Sequence, residues 1–332
     1  MLRIPAIVIA SLVLSFAAGE GIARLAGHTT AQRTAPRFSW ADRGELYTME
    51  PNRQWVMPGD LKLVRVNSLG LRGPEISSKL DWQRILLLGD SVAFGYDVVE
   101  KKALPVRLQR SLLQRGLPVE VVNAAIPGWC ARQHRLFLAE NGAALEPNLV
   151  LATVVLNDIP ELLSGQAELG ASIRLANVLN WSAQRSALVT AAKNALAGTE
   201  NPFARATYLR KLTLAPDSKL AREGMAAEPA ELQDLAKTAQ ALSVPLGLVI
   251  LPFKFQLTTL NTDAPQRELM EFAREHGIPA IDLLPSLREH DADEIFLDQV
   301  HLSEFGNEIV AAQISQWLVE HTMIGPEAPP AG

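Results

Sequence analysis

The sequence holds one cysteine, Cys130, so it can form neither an intrachain disulfide nor a multi-cysteine zinc site. It also lacks an excess of positive charge. Its 31 basic residues face 36 acidic ones, a formal net charge of −5, whereas a chain that grips phosphate backbones needs a basic face. Nucleic acid is therefore disfavoured as a partner. No G-x-x-x-x-G-K-[ST] run occurs, which removes a P-loop. No serine sits in G-x-S-x-G, which removes the nucleophile elbow of an α/β-hydrolase. With 48% hydrophobic and 20% charged residues over 332 positions, the composition is neither disordered, collagenous nor that of a many-span membrane protein. A chain this long buries a core without staples, and at ~150 residues per domain its length suggests two domains.

One apolar stretch stands out. Residues 4–19 carry no charge over 16 positions, with Arg3 ahead and Glu20 and Arg24 behind. That is longer than the ~7–15 residues of a signal-peptide core and shorter than the ~20 of a membrane span. Ala17-Ala18-Gly19 would serve as a cleavage site, but the helical pattern continuing through Ile22 and Leu25 favours an uncleaved anchor. Residues 1–27 are thus expected to be a signal anchor or signal peptide, with the folded domain exported across the membrane. Residues 28–63 show little periodicity and interleave Pro36, Pro51 and Pro58 with Trp40, Tyr47 and Trp55, reading as a linker that packs on the domain. Residues 67–73 form a turn-rich loop whose Gly70 and Gly73 can take positive φ.

From residue 84 the pattern becomes regular. Residues 85–88 are a short continuous apolar run, as a parallel strand covered on both faces should be. Leu104, Leu108 and Leu112 then recur at helical spacing behind Pro105, closed by Gly116. Further strands are predicted over 119–122, 149–156, 245–251 and 279–283, with a helix near 264–276. The last helix opens at Ser303 and puts Phe305, Ile309, Val310, Ile314, Trp317 and Leu318 on one face. Residues 159–236 are an alanine-rich helical insertion, and residues 323–332 a flexible tail. Alternating strands and helices predict an α/β fold: a flavodoxin-like, doubly wound parallel sheet of five strands, with ligand chemistry at the strands' carboxyl ends.

Polar residues follow four of the five strands. Ser91 stands in Leu88-Gly89-Asp90-Ser91, Gly128 closes Asn123-Ala124-Ala125-Ile126-Pro127-Gly128, Asn157-Asp158 follows the third strand, and Asp298 and His301 precede the last helix. A serine hydroxyl becomes a nucleophile when a base takes its proton, and histidine is the usual base. The imidazole in turn needs a carboxylate to set its tautomer, and the D-x-x-H spacing lets one turn present both side chains. A developing oxyanion needs fixed donors, which a backbone N–H at Gly128 and the Asn157 amide would supply.

These four blocks, in this order, resemble those of the SGNH (GDSL-type) hydrolase family over residues 64–322. The resemblance implies Ser91 as nucleophile, His301 as base and Asp298 as its orienting acid. It implies an oxyanion hole from Ser91 N–H, Gly128 N–H and the Asn157 side chain, and it implies no metal or organic cofactor. The residue 67–73 loop, the N-terminal apolar segment and Pro252 further resemble an exported, membrane-anchored bacterial subgroup. Val92 stands where the family name has leucine, and no glycine lies beside Asn157-Asp158 where many members have one. The implied activity is hydrolysis of acyl esters, O-acetyl esters included, on a small ester or an acetylated glycan. An O-acetyltransferase of envelope or exopolysaccharide glycans would use the same residues, and a catalytically idle glycan-binding module is the reading from another class.

Other residues read as structural. Asp90 is expected to brace the serine turn through backbone hydrogen bonds, Cys130 to sit in the core and His134 at the surface. Trp129 could wall an acyl pocket or simply pack. His290, Asp291, Asp293 and Glu294 match no standard metal-ligand spacing and read as a solvated loop.

Overall fold

The computed structural model describes residues 3–30, 36–41, 45–57, 62–77, 82–163, 166–197, 213–215 and 218–325. It opens with the helix α1 (Arg3–Leu25). Two short antiparallel hairpins follow, β1 (Phe38–Trp40) with β2 (Tyr47–Met49), and β3 (Gln54–Val56) with β4 (Leu63–Arg65). The chain then enters β5 (Gln83–Gly89), α2 (Ser91–Phe94), α3 (Leu104–Gln114), β6 (Val119–Ala125), α4 (Ala131–Leu145) and β7 (Leu149–Val155). The helical insertion holds α5 (Asp158–Leu163), α6 (Gln166–Ala183), α7 (Ala187–Ala197) and α8 (Lys219–Ala241); its residues 164–165, 198–212 and 216–217 lie outside the described residues. Next come β8 (Leu246–Leu251), α9 (Lys254–Thr258), α10 (Ala264–Glu275), β9 (Ala280–Asp282), α11 (Leu284–Leu287), α12 (Ala292–Ile295) and α13 (Glu304–Glu320).

The five expected strands form one sheet in the order β6-β5-β7-β8-β9, every pair parallel. Counted along the chain this is the 2-1-3-4-5 order of a flavodoxin-like sheet, whose switch point lies between the first and third strands. β5, β7 and β8 are buried at every position, which is why they read as unbroken apolar runs. α3 packs on α13 and α4 on α8, the helix layers that cover the sheet. Leu104, Leu108 and Leu112 are fully buried, and Gly116 takes φ +80° just past α3.

Four expectations need correction. Residues 28–63 are more than a linker, because they include β1, β2 and β3. Three-residue strands carry no legible period. Aromatic contacts hold them: the Tyr47 ring lies 5.6 Å from both Phe38 and Trp40 and 6.4 Å from the distant Trp129, and Trp55 of β3 stacks 6.4 Å from Phe94. The tail also begins later than expected, since Ile324 is buried in the core; residues 326–332 lie outside the described residues. In α13, Phe305 is 43% exposed and meets His290 edge-on instead of joining the core face.

The N-terminal segment is the fourth. It forms a helix of 23 residues, yet among the described residues no helix is long and apolar enough to cross a membrane. Its last turns belong to the protein body. Glu20 accepts hydrogen bonds from Ser186 Oγ (2.7 Å) and from the N–H groups of Ala187 and Leu188 (3.0 Å each), capping the start of α7. These donors hold the Glu20 carboxyl at about 2. The uncharged part would span roughly 24 Å at ~1.5 Å per residue, short of a ~30 Å hydrocarbon core.

Candidate active site

The site is built where β5 turns into α2. A Cβ at Gly89 would lie 2.3 Å from Thr153 Oγ1 and 2.4 Å from Ala93 Cβ, so only glycine lets the strand end this close to β7. Asp90 caps α2, its Oδ1 accepting from Val92 N–H at 2.8 Å, and Gly95 closes the turn at φ +79°. Ser91 is thereby held at the first helical position with its hydroxyl above the sheet's switch point. Asp90 thus does what the sequence predicts.

Ser91 Oγ lies 2.9 Å from His301 Nε2, and His301 Nδ1 lies 2.7 Å from Asp298 Oδ2. Residues 210 apart in sequence are joined in one chain of hydrogen bonds. The turn carrying the last two is closed by Leu297 N–H donating to His301 O (2.8 Å) and by a bridge between Phe296 and Leu302. Asp298 Oδ1 accepts from the N–H groups of Val300 (2.7 Å) and His301 (2.8 Å). Partial burial pushes this carboxyl up, but the hydrogen bonds and charge of His301, with those backbone donors, outweigh it and hold it at about 2. An ionised carboxylate only accepts, so the ring proton belongs on Nδ1 and Nε2 is left to receive the serine proton. The Tyr96 ring lies 4.7 Å from the His301 ring at 32°, flanking it on the side of the α2 turn. Nothing in the sequence pattern singles Tyr96 out.

The residues expected as oxyanion donors stand just past β7 and β6, the two strands beside β5. Asn157, just past β7, is buried and donates through Nδ2 to Asp90 Oδ2 at 2.8 Å. Gly128 follows β6 with φ +82°, and a Cβ there would stand 2.8 Å from Tyr47 Oη. Tyr47 braces this loop, its hydroxyl donating to Pro127 O (3.0 Å) while Trp129 Nε1 donates to Tyr47 O (2.9 Å). Trp129 is fully buried, so of its two readings the structure has it pack.

The scan against protein families matches residues 87–309 to the GDSL-like lipase/acylhydrolase model, about two thirds of the chain. The chain belongs to the GDSL-like lipase/acylhydrolase family. It is accordingly an ester-hydrolysing enzyme. Among solved structures it is similar to a lipolytic protein of the G-D-S-L family from Desulfitobacterium hafniense (15% identity, 71% of this chain and 99% of that one, TM-score 0.43). It is also similar to an acetylxylan esterase from Geobacillus stearothermophilus (15%, 71% and 94%, TM-score 0.45) and to the esterase EstA from Pseudoalteromonas sp. (13%, 72% and 98%, TM-score 0.45). No curated protein matches the chain.

Two parts of this GDSL-like domain were not legible in its sequence. Arg72, in the 67–73 loop, is 2% exposed and donates to the carbonyls of Phe94 (3.0 Å), Gly95 (2.5 Å) and Val98 (2.8 Å). It ties the turn after the nucleophile to the N-terminal hairpins, and its desolvation lowers the guanidinium to about 10. Glu228, on α8, is 1% exposed, and among the described residues neither carboxyl oxygen has a hydrogen-bond partner. Burial, reinforced by the charge of Glu231, raises it to about 8. A carboxyl raised above its unfolded value of ~4.3 contributes stability at low pH that is lost as pH climbs toward about 8. Glu228→Gln should flatten the fall in melting temperature between pH 5 and 8; an unchanged slope in a thermal-shift series would refute it.

His134, expected at the surface, is 1% exposed. α4 turns it inward with Cys130, Gln133, Phe137 and Leu138, and burial lowers the imidazole to about 4. Cys130 is buried as expected, and burial raises its thiol. Among the described residues no group of three or more His, Cys, Asp or Glu is arranged to hold a metal ion. In the acidic run, Asp291 caps α12 and Asp293 pairs with Lys254 (2.5 Å).

Proposed function

We propose that this enzyme is a serine esterase acting on acyl esters, O-acetyl esters included, through a covalent acyl-enzyme. The observation that carries the reading is the unbroken run from Ser91 Oγ to His301 Nε2 (2.9 Å) and from His301 Nδ1 to Asp298 Oδ2 (2.7 Å). Ser91 Oγ attacks the carbonyl carbon while His301 Nε2 takes its proton, and the imidazolium is stabilised by Asp298. Collapse of the tetrahedral intermediate breaks the C–O bond to the alcohol, which leaves with the proton from His301. Water, deprotonated by the same imidazole, then releases the acid and restores Ser91.

The oxyanion forms between the backbone N–H groups of Ser91 and Gly128 and the Asn157 amide. One N–H of that amide is held by Asp90; the other remains for the oxyanion, since an amide nitrogen carries two donors. Asn157→Ala is expected to lower kcat by ~10²–10³ with KM little changed. Steady-state kinetics check this, and an unchanged kcat would make Asn157 a support for Asp90 alone. The reading as a whole is tested by a fluorophosphonate probe. Its mass should appear on the peptide containing Ser91, and no adduct there would overturn the assignment.

In this proposal the enzyme is exported and α1 is its membrane-associating segment. Arg3 ahead of the uncharged residues 4–19 supports that reading, as do the exposed Val8, Ile9, Leu12, Val13, Leu14 and Phe16. Protease added to spheroplasts should digest the catalytic domain; protection until the membrane is lysed would refute it.

A further inference from the structure

The helical insertion wears one of its faces inside out. On α6 the inner face is formed by Ile173, Asn177, Asn180 and Ala183. Asn177 clasps the edge of β1, donating to Phe38 O (2.8 Å) and accepting from Phe38 N–H (3.2 Å). The outer face carries Leu175 (59% exposed), Val178 (60%), Leu179 (37%) and Trp181 (47%). A surface helix normally turns such residues inward and its polar ones outward. Here the polar asparagines are spent on the protein body, and among the described residues the apolar stripe is left exposed.

Positive charge surrounds one end of this stripe. Beside Trp181 lies a cavity of about 240 Å³ lined by Arg37, Arg53 and Arg185 together with Glu50. One carboxylate, 3.9 Å from Arg37 and 3.4 Å from Arg53, stands against three guanidinium groups in a chain whose net charge is −5. Arg185 lies 4.2 Å over the Trp181 ring, and the buried Trp55 indole N–H on the cavity wall has no hydrogen-bond partner among the described residues. The next residue, Ser186, begins the α7 terminus that Glu20 of α1 caps, so the stripe, the arginines and the exposed apolar helix α1 meet at one corner.

We infer that the outer face of α6 is an interfacial docking surface for an anionic lipid bilayer. Leu175, Val178 and Leu179 enter the boundary between headgroups and acyl chains, and the arginine cavity takes lipid phosphate. The pattern is that of a helix lying in the membrane plane: an apolar stripe, a tryptophan at headgroup depth and arginines at the edge. Arginine forks match phosphate oxygens, and polybasic groups gain most beside anionic leaflets. Glu50 is three residues along from Tyr47, whose hydroxyl meets the Gly128 loop, so at ~3.3 Å per residue the backbone at the phosphate cavity lies on the order of 10 Å along the chain from the one bracing the oxyanion loop. Docking would present the ester site at the membrane surface. The inference rests on α1 as the membrane-associating segment, and the test separates the two.

The full chain is reconstituted into bilayers of phosphatidylglycerol and phosphatidylcholine, carrying an environment-sensitive fluorophore on L175C or, in a separate sample, on L12C. Cys130 is buried and stays unlabelled. Doxyl-labelled lipids serve as quenchers. Blue-shifted emission and doxyl quenching at position 175 are expected, falling by about tenfold or more when Arg37, Arg53 and Arg185 are all changed to Glu or when phosphatidylglycerol is omitted. Quenching at 12 with aqueous emission at 175 overturns the docking surface and leaves the tether standing. Aqueous emission at both positions overturns both. Blue emission at 175 without doxyl quenching assigns the face to a second copy of the chain and overturns the lipid assignment. Quenching at 175 that ignores both lipid charge and the arginine reversals overturns the phosphate cavity.

Discussion

Ser91→Ala should lower kcat for a small activated acetyl ester by at least about 10⁴, the loss seen when the nucleophile of a catalytic triad is removed. The effect is large because no neighbour can replace the hydroxyl. Cys130 is buried and its thiol raised, so it offers neither access nor thiolate. The residual rate would come from the proposed oxyanion donors at Gly128 and Asn157 acting on direct attack by water. Stability should barely move, because Asp90 and not Ser91 caps α2, and a change within about 0.5 kcal/mol is expected away from such features. Stopped or steady-state ester assays with a parallel melting curve check both parts. Retention of full turnover would remove Ser91 from the reaction.

Asp298→Asn should cost about 10³ in kcat. Asparagine keeps the shape but can present an N–H where the carboxylate accepts, and that favours the imidazole tautomer with its proton on Nε2, the atom that must receive the serine proton. A fully buried triad aspartate loses ~10⁴ on this change. The Asp298 side chain is 57% exposed, so water screens part of its influence on the imidazolium and the smaller figure is expected. The two backbone N–H groups that Asp298 Oδ1 holds can still find the asparagine carbonyl, so the turn should persist. A kcat within tenfold of wild type would show that this carboxylate does not set the tautomer. In the parent enzyme the same group, held at about 2, contributes stability above its unfolded value of ~3.9 that is lost as pH falls toward 2.

The parallel sheet was legible because its strands are covered on both faces. Burial on two sides requires runs such as Ile85-Leu86-Leu87-Leu88, and the carboxyl end of each run then marks where polar groups gather. The proposed triad was legible for a related reason: Asp298 and His301 form a local pair three residues apart, and Ser91 follows the first strand directly. His134 was misread because one residue on an amphipathic helix does not reveal which way its helix faces. Phe305 failed the opposite way, since a position on the apolar stripe of α13 still lies beyond the reach of the layer that α13 covers.

By itself the sequence determined the α/β class, the five strands, the glycines at 89 and 128 and the residues that end up around Ser91. These follow from short-range physics, in which period, turn conformation and local spacing leave few alternatives. Tertiary structure alone decided that Tyr47 braces the Gly128 loop, that Arg72 holds the turn after the nucleophile, that Glu228 is buried and that α6 turns its apolar face outward. Each of these depends on a contact between segments that share no period and lie far apart along the chain. A single cysteine allows no covalent staple within the chain, so buried hydrogen bonds such as those of Arg72 and Trp129 must carry the N-terminal hairpins onto the catalytic domain.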